Sequence, residues 1–190
     1  MATHRIQKSA VILFLLGFII VVGPSAYAVE ITSLSPRKGP VGTEVSIQGT
    51  GFGASQGSSI VTFNGQIGMP RSWSDTKIVV AVPQQATTGP VIVRVKGVSS
   101  NHVIFTVTPL ILELVPSEGC VGSSVSIVGL TFGASQSTSI VTFNGVPANV
   151  TGWSATSIDA IVPAGATAGP VVVTVRGYSS NGVVFTVTCQ

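Results

Sequence analysis

The chain has little charge, almost no cysteine and no set of residues that would do catalysis. Nine Lys or Arg and six Asp or Glu leave only 8% of its 190 residues charged, against 45% apolar. Soluble domains carry about 25% charge. His102 is the one histidine beyond the first few residues, and a lone histidine makes neither a metal site nor an acid–base pair. The carboxylates are scattered, with no close pair to run general acid–base chemistry. There is no G-x-S-x-G, no cysteine–histidine pairing and no phosphate-cradling glycine loop. Gly51-Phe52-Gly53 reads as a turn, because no helical pattern follows it. These absences point away from an enzyme and imply no cofactor and no metal.

A long apolar run is present once, at the start. His4, Arg5 and Lys8 precede Ala10–Val22, thirteen residues without a polar side chain. Gly23-Pro24 breaks that run, and Ala26-Tyr27-Ala28 gives the small-residue spacing of a cleavage site. Residues 1–28 are therefore expected to be a signal peptide removed after Ala28. The competing assignment is an uncleaved anchor, but thirteen helical residues span about 20 Å of a hydrocarbon core roughly 30 Å thick. No stable membrane span is expected after cleavage, and the protein is placed outside the cytoplasm: secreted, periplasmic or on the cell surface.

Without the leader, seven basic and six acidic residues remain, a net charge of 7 − 6 = +1. So neutral a chain has little attraction for nucleic acid or an anionic membrane.

What is abundant is repetition. Shifted by 80 residues, the chain falls on itself without a gap. Phe52-Gly-Ala-Ser-Gln56 lands on Phe132–Gln136, Ser59–Gly65 on Ser139–Gly145, and Phe105–Thr108 on Phe185–Thr188. The boundaries follow as 29–109 and 110–190, joined through Pro109 and its neighbours. So short a linker restricts relative motion.

Each repeat has the pattern of β structure. Val91, Val93 and Val95 alternate with Ile92, Arg94 and Lys96, and Val171, Val173 and Val175 behave alike. That is the two-residue period of a strand with one buried face. No 3.6-residue period is sustained past the leader. Asn64-Gly65 and Asn144-Gly145 predict hairpin turns with positive φ at both residues. Strands near 31–35, 44–49, 59–64, 66–70, 77–82, 90–97 and 102–108 make about seven per repeat. The expected fold is all-β: two tandem immunoglobulin-like antiparallel sandwiches.

The motifs Ile31-x-x-Leu-x-Pro-x-x-Gly-Pro-Val-Gly-Thr43, Val45 to Gly53, Val61-Thr-Phe-Asn-Gly65, Trp73 to Pro83 and Gly89 to Val95 resemble the IPT/TIG domain. The resemblance covers both repeats, essentially 30–189. It implies an immunoglobulin-like fold of the kind used in plexins and related receptors, Rel-type transcription factors, some starch-active enzymes and bacterial surface proteins. The leader and the near-zero charge set aside the DNA-reading branch. Repeat two departs from the pattern at Cys120, where repeat one has Pro40, and at Thr131, where it has Gly51.

Five residues stand out as candidate sites in such a sandwich. The end of the last strand is expected beside the first crossover, which predicts a Cys120–Cys189 disulfide, favoured by an oxidising compartment. Two free thiols, or a bond from Cys189 to another chain, are the alternatives. Trp73, Trp153 and Tyr178 are candidate ligand contacts, since an exposed ring stacks on a sugar; packing at a sheet edge is the plainer role for the two tryptophans. Asn149-Val-Thr151 has the spacing of a glycosylation acceptor. Repeat one carries six basic and three acidic residues and repeat two one basic and three acidic, +3 against −2. That asymmetry allows head-to-tail self-association, with divergence after duplication as the simpler explanation. The function expected is a non-enzymatic extracellular or cell-surface structural or adhesion-type module. The alternative is a carbohydrate-binding accessory module. The expected partner is an unidentified protein or polysaccharide at the cell surface.

Overall fold

A computed structural model describes residues 28–189, so the predicted signal peptide lies outside the described residues. Among the described residues every regular element is a strand. Repeat one contains β1 (Glu30–Ser35), β2 (Lys38–Gly39), β3 (Glu44–Thr50), β4 (Ile60–Phe63) and β5 (Gln66–Gly68). It continues with β6 (Pro70–Trp73), β7 (Lys77–Ala81), β8 (Gly89–Val95), β9 (Val98–Ser99) and β10 (Val103–Val107). Repeat two matches it with β11 (Leu110–Val115), β12 (Glu118–Gly119), β13 (Ser124–Leu130), β14 (Ile140–Phe143) and β15 (Val146–Pro147). Its last five are β16 (Asn149–Trp153), β17 (Ser157–Ile161), β18 (Gly169–Val175), β19 (Tyr178–Ser179) and β20 (Val183–Val187).

Two sheets face each other in each repeat. One runs β1-β3-β7-β6; the other runs β2-β10-β8-β4-β5, with β9 paired to β8. The second repeat has β11-β13-β17-β16 and β12-β20-β18-β14-β15, with β19 on β18. Pairing is antiparallel except where β2 meets β10 and β12 meets β20.

The alternating valines decide which face is inside. Val91 and Val93 are fully buried, as are Val45, Ile47 and Ile78 from the opposite sheet. Phe63 and Phe105 meet edge to face in the middle, ring centres 5.5 Å apart; Phe143 and Phe185 do so at 5.2 Å. Such pairs add about 0.5–1.5 kcal/mol beyond the area they bury.

Three short elements escape the sequence pattern: β2 and β9 are two residues long, and the single strand expected over 66–70 is two. Gly68 is buried at the end of β5, and the chain then crosses to the other sheet as β6. The strand expected over 90–97 stops at Val95 because Lys96-Gly97 form a turn, with φ 48° and 87°. Lys96 therefore sits at a turn and not on the strand face. Asn64-Gly65 takes the expected positive φ values, 45° and 86°, and Asn144-Gly145 takes 44° and 86°.

The edges of the four-stranded sheets are blunted by irregularity as well as by charge, with Glu30 on β1, Arg71 on β6 and Glu113 on β11. The register slips between Ile31 and Ser33 in β1 and between Pro70 and Ser72 in β6, and at the matching places in β11 and β16. Bulges at edge strands hinder pairing with another chain.

Candidate functional site

Trp73 closes β6 and Trp153 closes β16. A Cβ at Gly49 would run into the Phe52 ring, so glycine there lets that ring lie over β3. Phe52 is fully buried. The Trp73 ring packs edge-on against it at 6.4 Å, and its indole N–H donates to the Phe52 carbonyl at 3.0 Å. Trp153 repeats the packing on Phe132 at 6.3 Å and donates to the Gly133 carbonyl at 3.0 Å. Both indoles are half-buried, with their one donor committed to the backbone. Tyr178 opens β19 and is 40% exposed. The Lys38 ammonium lies 5.9 Å from its ring centre, a cation–π contact across the two repeats. The three aromatic candidates thus do not gather into one cluster: each Trp joins the Phe of its own repeat, and Tyr178 joins Lys38 of the other.

Cys120 and Cys189 form a disulfide with Cα atoms 4.5 Å apart, inside the usual 4.4–6.8 Å range. The Val121 N–H donates to the Cys189 carbonyl at 3.0 Å, so the last strand is held to the crossover after β12. The same place in repeat one is occupied by Pro40 and Pro109.

There, the second repeat supplies the cover. Thr108 and Pro109 are the only residues between β10 and β11, and both are buried. Leu110 and Leu130, opposite each other on β11 and β13, pack against the core of repeat one. The Thr131 hydroxyl donates to the Thr108 carbonyl at 2.9 Å. Thr131 has φ 62° where its counterpart Gly51 has 74°; positive φ is unfavourable for a β-branched residue, and this bond helps hold it.

Several asparagines matter that sequence reasoning passed over. Asn101 accepts from the Ile31 N–H at 2.7 Å and donates to the Ile31 carbonyl at 2.9 Å. Asn181 grips Ile111 the same way, at 2.8 and 2.9 Å. Asn64 and Asn144 each donate to a threonine hydroxyl at 2.8 Å. Their recurrence in both repeats was the available signal. These side chains are spent on the scaffold.

Two shallow depressions lie on repeat one. One of about 250 Å³ is lined by Gly51, Gly53, Asp75, Val95 and Lys96. Its Asp75 carboxylate accepts from the Gly53 N–H at 2.9 Å. The other, of about 360 Å³, includes Ile67, Met69, Val82 and Pro83. Repeat two has Ala155 for Asp75 and Asn149 for Met69, so neither chemistry is duplicated. His102 is exposed. Among the described residues no three of His, Cys, Asp and Glu gather as a metal site, and no helix is long and apolar enough to cross a membrane.

Two stacked immunoglobulin-like sandwiches define the class. The family model described as "IPT/TIG domain" matches residues 29–107 and again 109–187. The chain belongs to the IPT/TIG domain family. Among solved structures it is similar to the plexin A4 extracellular region, with 21% identity, 98% of this chain and 17% of that one covered, and a TM-score of 0.40. It is also similar to the surface glycan-binding protein PbSGBP-B of Prevotella bryantii (15% identity, 85% and 42% covered, TM-score 0.38). A third is SGBP-B of Bacteroides ovatus, solved with a mixed-linkage heptasaccharide (13%, 80% and 43%, TM-score 0.37). The chain spans less than half the length of each. A search of curated proteins finds no match.

Proposed function

We propose that this protein is a non-enzymatic structural or adhesion-type module outside the cytoplasm, a two-unit interaction rod at the cell surface. The seating of repeat two on repeat one carries this reading. Leu110 and Leu130 lie against the first core and Thr131 ties down the linker, so the two sandwiches hold a fixed spacing. A fixed spacing is of use to a spacer or adhesin and gives nothing to a catalyst. The polar side chains that recur in both repeats brace strands and turns.

Antibody labelling of intact cells checks the location, and beads coated with the two-repeat chain, passed over such cells, check adhesion. Labelled cells that retain the beads support the proposal. Unlabelled cells, or beads that wash through, overturn it.

Tyr178, exposed at the junction and backed by Lys38, favours carbohydrate binding as a second reading. A soluble polysaccharide that changes tryptophan fluorescence in the unaltered chain but not in Tyr178→Ala would replace the first reading with this one. Trp153, also in repeat two, and Trp73 would be the reporters.

A further inference from the structure

The outer face of the six-strand sheet in repeat two has lost the charges that its counterpart keeps. Arg94 stands on that face in repeat one and His102 just before β10; Thr174 and Gly182 replace them in repeat two. What remains is Ile140, Thr142, Pro170, Val172, Thr174 and Val184, pointing away from the core. Val184 is 66% exposed and Ile140 49%. No ionisable side chain stands within this patch. Among the described residues, Arg176 at the turn after β18 and Glu118 on β12 opposite Thr186 carry charge at its two ends, and Lys38 of repeat one lies over Tyr178 at the Arg176 end.

We infer that this face is a homodimer surface, and that its occupant is the same face of a second copy of this chain. A two-fold contact sets each residue near itself or its mirror position, so a lone charge inside the patch would meet its own like. Arg94 makes the face of repeat one unfit for that, and Thr174 makes the face of repeat two fit. A two-fold axis running across the strands turns the patch end for end. Arg176 of one copy then lies by Glu118 of the second, and the two marginal charges pair twice.

The patch is small. β12, β20, β18, β14 and β15 hold two, five, seven, four and two residues, each about 3.4 Å along strands about 4.8 Å apart. The plan area is roughly 330 Å², before counting side-chain relief, under half of the roughly 800 Å² per partner in a standard interface, so the dimer forms at high concentration only. Two antiparallel sheets stacked face to face is an ordinary packing.

The test is the mass in solution of the two-repeat chain from Val29 onward, by light scattering and sedimentation over a range of concentration and salt. Expected is twice the chain mass at high concentration, undiminished as salt rises, because the contact is mainly apolar. Val184→Arg should return the mass to that of one chain with an unchanged circular dichroism spectrum, while Ile104→Arg, at the matching place in repeat one, leaves the dimer. If Val184→Arg fails to fold, Thr174→Arg, which installs the residue of repeat one, makes the same measurement. A single-chain mass at every concentration overturns the inference, and so does a dimer that both arginine variants leave intact. A larger species that dissociates as salt rises, and that Glu118→Arg alone abolishes, also overturns it in favour of end-to-end association.

Discussion

Repeat one and repeat two share a core nearly residue for residue and differ where the core meets something else. Val45, Ile47, Phe52, Val61, Phe63 and Phe105 reappear as Val125, Ile127, Phe132, Val141, Phe143 and Phe185, all buried. At the junction the pattern breaks. Glu30 and Thr50, exposed on repeat one, become Leu110 and Leu130, which dock under it. Val41 is buried in the core of repeat one while Val121, the same residue, is half-exposed. Beside Val121 stands the disulfide. A neighbouring repeat seals the last strand of the first sandwich, and a covalent bond seals that of the second.

The largest test of that comparison removes the seal. Replacing Cys120 and Cys189 by serine opens a loop with a sequence separation of 69, which is about 4 kcal/mol in the chain-entropy model. Calorimetry should then show repeat two unfolding first, with the transition of repeat one in place. One merged transition, shifted as a whole, would make the two repeats a single cooperative unit.

Breaking the seat comes next. Leu110→Glu with Leu130→Thr gives repeat two the residues of repeat one at that end. Losing two partly buried leucines should cost about 2–3 kcal/mol, taken from repeat one as well as repeat two. Faster proteolysis at 108–110 is the accompanying readout; unchanged cleavage would show that the linker alone sets the spacing.

A third test lies inside the cores. A Cβ on Gly68 would collide with the Val80 side chain. Repeat two has Ala148 and Ala160 at these places, a volume moved across the same contact. Gly68→Ala should cost about 1–3 kcal/mol by overpacking, and Val80→Ala about 2 kcal/mol by leaving a cavity. The double variant should be close to the unaltered chain. Additive losses, measured by denaturant titration, would refute the compensation.

The smallest effect is at the indoles. Trp73→Phe and Trp153→Phe each remove one N–H···O bond, about 1 kcal/mol, and the two losses should match. A much larger loss at one would mean that its ring supports more than its own repeat.

The strands were legible wherever one face is buried, because alternation such as Val91-Ile92-Val93 leaves a two-residue period. β2 and β9 were not, because two residues have no period. The split of 66–70 was hidden because Gly68 and Pro70 mark the crossing from one sheet to the other without any change in hydropathy. The cysteines were conspicuous in a chain with only two. The seat at Leu110 and Leu130 was missed for the opposite reason. Comparing the repeats draws the eye to matching positions, and these are informative because they do not match. Lys38 over Tyr178 was beyond reach, since neither residue carries a pattern and their meeting depends on how the two sandwiches stack.

The disulfide also decides how the chain would bear tension. Force entering at the start of repeat one passes through that sandwich, along β11 to Cys120, and across the sulfur bridge to Cys189. Everything between lies off the load path. Under a pull that unravels repeat one, the looped segment cannot lengthen, and roughly 240 Å of contour stays locked until the bridge is reduced. The first sandwich is then the extensible element and the second a fixed link.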